Sequence, residues 1–80
     1  MDFGSALELL KQGERVARKG WNGKDMFLVL IAPHQYNPDN EHLVAGLEKS
    51  PWVALKTADR KVIPWSASQS DMLANDWVEL

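Results

Sequence analysis

No cysteine occurs among the 80 residues. A disulfide therefore cannot supplement the core, which fits a reducing compartment. Imidazole is scarce too. His34 and His42 lie in a turn-rich stretch without a metal-ligand spacing, so neither a metal nor any other cofactor is expected. Excess positive charge is also missing. The formal net charge is −2, a poor match to duplex nucleic acid, which selects for a basic face. A small anionic ligand needs only a few local donors and stays open. No apolar run approaches the roughly 18 residues of a membrane span. The opening Met1-Asp2-Phe3-Gly4 has no basic segment ahead of an apolar one, so a soluble cytoplasmic protein is expected. Two catalytic signatures are missing as well: the Gly-x-Ser-x-Gly elbow and the Gly-x-x-x-x-Gly-Lys phosphate loop.

What remains is one small domain spanning residues 1–80. A chain of this length buries only about 60–65% of its unfolded surface, so association with further copies is the expected supplement. Phe3, Ala6, Leu7 and Leu10 recur at helical spacing. Ser5 and Glu8 match a capping box, and Gly13 is a natural left-handed stop. Strands are expected over 14–18, 26–32, 52–57, 62–65 and 76–80, and a short helix over 68–75 that opens on a second capping box, Ser68 with Asp71. Pro64 places its strand at an edge or an end. The apolar run Met26–Ala32 is hydrophobic on both faces. One face meets the N-terminal helix; a second copy is the expected cover for the other. Residues 33–51 form a long connection, read as a lid or interface element with one or two helical turns over 41–47. The fold class is α+β: a small antiparallel sheet of four to five strands, an N-terminal helix and a short C-terminal helix.

Two tryptophan-centred segments stand out, Arg18-Lys19-Gly20-Trp21-Asn22-Gly23-Lys24 and Pro64-Trp65-Ser66-Ala67-Ser68-Gln69-Ser70-Asp71-Met72. Each joins a flat ring to polar groups at a turn, the set that a nucleotide needs for its base, ribose and phosphate. Trp21 leads as a stacking platform because a tight turn exposes its ring; the competing reading is a plug at the sheet end. Trp65 stands equally between stacking and core packing, whereas Trp52 and Trp77 fit core or interface positions within strands. Ser68, Gln69 and Ser70 offer hydroxyls and free backbone N–H groups for an anion, although Ser68 is equally an ordinary cap. Asp71 suits ribose or base, since a carboxylate repels a diphosphate. Arg18, Lys19 and Lys24 suit the diphosphate, against the plainer reading of solvated charge. Asn22 is first a turn residue and second a contact to the base.

Taken in order, Ala17–Lys24, Lys56–Asp59, Val62–Trp65 and Ser68–Trp77 resemble the Thoeris anti-defence protein 2 family, small phage and prophage proteins formerly grouped as a domain of unknown function. The resemblance covers nearly the whole chain except the 33–51 loop. It implies a molecular sponge, not an enzyme. Such a sponge binds the cyclic ADP-ribose isomer made by a bacterial TIR-domain defence enzyme without cleaving it, so the effector stays inactive. It further implies a homo-oligomer, a tetramer being usual, with pockets between protomers, and in some members a separate cyclic-dinucleotide site. The readings that compete with the sponge are a structural or protein-binding oligomer and a small phosphodiesterase.

Overall fold

The computed structural model describes residues 1–21, 25–35 and 41–80. Its first helix, α1, spans Phe3–Lys11 and is capped by Asp2, whose Oδ1 accepts the Ser5 N–H at 2.8 Å. The cap expected at Ser5 is thus corrected by three residues. Aspartate at position 2 offers a capping oxygen of its own one turn earlier, and the earlier start brings Phe3 onto the aromatic core. Glu8, released from a capping role, pairs with Lys11 on the exposed surface. The stop at Gly13 is as expected, with φ at 88°. The Glu14 N–H reaches the Leu9 carbonyl and the Gly13 N–H that of Leu10, which together close a Schellman motif.

Five strands follow: β1 (Val16–Arg18), β2 (Phe27–Ile31), β3 (Trp52–Lys56), β4 (Val62–Pro64) and β5 (Trp77–Glu79). They form one antiparallel sheet in the order β4-β3-β2-β1-β5. Pro64 ends β4, an edge strand, where its missing N–H costs no ladder bond. Between β2 and β3 lie a 3-10 turn (Pro33–Gln35) and a single helical turn, α2 (Glu41–Val44). Between β4 and β5 runs α3 (Gln69–Leu73), so the chain crosses from one edge of the sheet to the other. Among the described residues, no helix is long and apolar enough to cross a membrane.

Strand alternation sorts the side chains into two faces. Leu28 and Leu55 sit opposite each other, as do Leu30 and Val53, and all four pack with α1 around Ala6, Leu10, Val16 and Trp77. Phe27, Val29, Ile31 and Trp52, all half-buried, lie on the outer face, beside Val62, which is 60% exposed. The two-sided apolar character of the 26–32 run is therefore real. The helix that packs on the sheet, α1, covers one side of it.

Candidate functional site

The two tryptophan segments, far apart in sequence, converge on one buried ring. Trp77, at the start of β5, is 1% exposed. Around it stand Phe3 of α1 at 5.4 Å between centroids, Trp21 beyond β1 at 5.6 Å and 79°, and Trp65 beyond β4 at 6.1 Å and 86°. The last two are edge-to-face arrangements, which match the positive rim of one ring to the negative face of another. Phe3 also reaches Trp65, at 6.2 Å. Trp21 and Trp65 are half-buried, so each packs part of its ring on Trp77 and leaves part accessible. Trp77 takes the core position expected of it, while Trp52 is half-buried on the outer face opposite Ile31.

Beside the rings lies a charged cluster. Arg18 Nε donates to Asp76 Oδ1 at 2.9 Å, and its Nη1 donates to Asp71 Oδ1 at 3.0 Å. Asp71 is further engaged through Oδ2, which accepts the Ser68 N–H at 3.0 Å and the Ser68 hydroxyl at 2.8 Å. The Ser68 hydroxyl in turn accepts the Asp71 N–H, completing the expected capping box at the start of α3. Asp76 Oδ2 accepts the Gly20 N–H at 3.4 Å. The Trp77 indole N–H donates to the Asp71 carbonyl at 3.0 Å, which ties the rings to the charges.

These contacts set the titration behaviour. Burial pushes the Asp71 carboxyl up, but hydrogen bonds from Ser68 and the Arg18 guanidinium outweigh it and hold it below the usual carboxylate range. Arg18, and secondarily the Gly20 N–H, hold Asp76 down against a smaller effect of burial. Arg18 is held up by Asp76 and then Asp71. For carboxyls with depressed values, the stabilisation is complete above the unfolded-state value, about 4, and is lost as pH falls through the folded-state values below it.

Of the residues anticipated from sequence, Arg18, Trp21, Trp65, Ser68 and Asp71 come together here. Gln69 and Ser70 open α3 and are exposed, as is Lys19, whose backbone N–H donates to the Asp76 carbonyl. Asn22 and Lys24 lie outside the described residues. Sequence reasoning passed over Phe3 as a ring partner and Asp76 as the second anchor of Arg18. The only signal for the latter was its place beside Trp77 at the start of a strand. His34 and His42 are exposed. His34 lines a cavity of about 410 Å³ with Leu10, Lys11, Val29 and Ile31, at the opposite end of α1 from the cluster of Trp21, Trp65 and Trp77. Around Trp77, then, the Ser68 hydroxyl is committed to the cap of α3, while the side chains of Gln69 and Ser70 are exposed beside it.

The chain is similar to known proteins over its whole length. The family model of the Thoeris anti-defense 2-like domain matches residues 1–80. A relative described as Thoeris anti-defense 2, from Bacillus phage SP01, is 43% identical over 86 aligned positions, covering 96% of this chain and 91% of the relative.

Proposed function

The chain belongs to the Thoeris anti-defense 2-like family, and on that premise we propose that it serves phage anti-defence in the host cytoplasm by capturing a cyclic ADP-ribose-type immune signal and holding it uncleaved. The observation that carries this reading is the pair of half-buried indoles, Trp21 and Trp65, braced nearly at right angles on buried Trp77. Rings so braced are already ordered before a base arrives, which reduces the entropy lost on binding.

Energetics define what else the site must supply. A nanomolar complex needs about −12 kcal/mol. Each stacked base contributes about 1–3 kcal/mol. Two rings therefore leave a large remainder to ribose and phosphate contacts, for which Gln69, Ser70, Lys19 and Lys24 are the candidates. The test is retention. Purified protein is incubated with the TIR-made cyclic ADP-ribose isomer, freed of unbound ligand by filtration, then heat-denatured, and the released material is identified. Intact ligand is the expected product. Altered ligand would replace the sponge with a phosphodiesterase, and no ligand would favour a purely structural oligomer.

The same reading assigns the outer sheet face to a second copy, with pockets completed across the subunit boundary and a tetramer as the working assembly. The apolar part of that face, Val29, Ile31 and Trp52, is bordered by Lys56 and Arg15 over the Phe27 ring, and an apolar patch with a charged rim suits contact with a second copy. Light scattering on the eluting peak should give a multiple of the 9.0 kDa chain. Val62→Lys sets a second cation opposite Lys56 on that face, away from the core, and should shift the peak towards smaller species. A monomeric wild-type peak would remove this part of the proposal.

A further inference from the structure

Arg18, anticipated at the diphosphate of a ligand, spends its guanidinium on two carboxylates of its own chain. All three side chains are largely withdrawn from water: 23% exposure for Arg18, 15% for Asp71 and 33% for Asp76. Their placement follows a pattern. Arg18 shares its segment with Trp21, Asp71 follows Trp65 through the start of α3, and Asp76 directly precedes Trp77. Each segment that delivers an indole to the cluster thus also delivers one member of the ionic clasp.

We propose that Arg18 is a positioning residue: by gripping Asp71 and Asp76 together, it locks the three segments and fixes the angles at which Trp21 and Trp65 meet Trp77, leaving the anionic part of a ligand to cations outside the clasp. The planar guanidinium suits the task. Its Nε and Nη1 donate in fixed, diverging directions to two acceptors at once, which a lysine ammonium on a flexible stem does not reproduce. Without Arg18, two partly desolvated carboxylates would face each other unneutralised and drive α3 away from the lead-in to β5. Among the described residues, the polar and charged groups beside the clasp are already engaged. Ser68 of α3 and the Gly20 N–H donate to the carboxylates, Lys19 contributes a backbone N–H to the Asp76 carbonyl, and the Met1 amino group is engaged by the carbonyls of Asn75 and Trp77.

The inference builds on the proposed ring site, yet its first test needs no ligand. Near-ultraviolet circular dichroism reads the fixed asymmetry of packed indoles, while the far-ultraviolet signal reads the backbone. In the full chain, Arg18→Gln should keep the far-ultraviolet spectrum and lose most of the near-ultraviolet band, with Arg18→Lys intermediate. The acid midpoint of the remaining band should move up towards the ordinary carboxylate range, about 4. An unchanged band and midpoint in Arg18→Gln would overturn the proposal. If that variant fails to fold, Asp76→Asn, which leaves the Arg18–Asp71 arm in place, should lose part of the band; an unchanged band would again overturn it. Retention of the cyclic ADP-ribose isomer supplies the second readout. Arg18→Gln with an intact band but no retention would make Arg18 a direct ligand contact and also overturn the proposal. Failure of wild-type protein to retain the ligand would instead strike the functional reading and leave the clasp to be judged by the band alone.

Discussion

Trp77→Ala is expected to abolish the folded state. Removing a buried tryptophan costs about 3–5 kcal/mol, and domains as a whole have only about 5–15 kcal/mol, with small ones at the low end. Here the ring is 1% exposed and touches Phe3, Trp21 and Trp65, so its loss opens a cavity at the centre of the aromatic cluster. The Asp71 carbonyl loses its indole donor at the same time. The two changes fall on contacting groups and will not add independently. Urea titration followed by circular dichroism should show no cooperative transition, or one with a midpoint close to zero denaturant. A variant within about 1 kcal/mol of wild type would mean that the cluster is peripheral to stability, since central substitutions of this size cost several times that.

Trp21→Ala is the counterpart: a large effect on binding and a small one on the fold. Trp21 is half-buried at the margin of the core and meets Trp77 in an edge-to-face arrangement, so truncation removes less buried packing than the loss of Trp77 does. Losing one stacked base removes about 1–3 kcal/mol, or roughly 5- to 150-fold in affinity. Faster dissociation then empties the site during filtration, so retention should disappear. Trp21→Phe, which keeps a smaller platform, should recover part of it. The measurement pairs the retention assay with light scattering on the same sample. Lost retention with the elution position unchanged is the expected result. Retention equal to wild type would remove Trp21 from the site.

Much of this architecture can be read from the sequence because it rests on local rules. The run at Met26–Ala32 is too short for a typical buried helix and is bounded by turn residues, so a strand is expected, and one forms over Phe27–Ile31. Ser68 and Asp71 stand at capping-box spacing, and Pro64 has to lie where no ladder bond is required. Local rules fail where two segments satisfy them equally. Asp2 and Ser5 are both competent caps, and the choice falls to Asp2 when Phe3, inside the helix, packs against Trp65 and Trp77. The site shows the same division. Its residue types were legible, since the two tryptophan segments, with their charges and hydroxyls, already stood out and do converge. The partner of each charge was not. Arg18 faces Asp76 because β1 pairs with β5, a contact across most of the chain that no short motif encodes.

That long-range pairing also bears on how the chain reaches its native state. The β3–β4 hairpin joins neighbours in sequence and closes a short loop, whereas residues 16–18 must find residues 77–79 across nearly the entire polypeptide. Entropy makes such a seam slow to close relative to a local hairpin. The indole cluster straddles it, so the aromatic centre is expected to assemble after the local hairpin. A chain in which that seam is still open has no assembled indole cluster, so any ligand that uses those rings would meet its site only once the two ends of the polypeptide are joined.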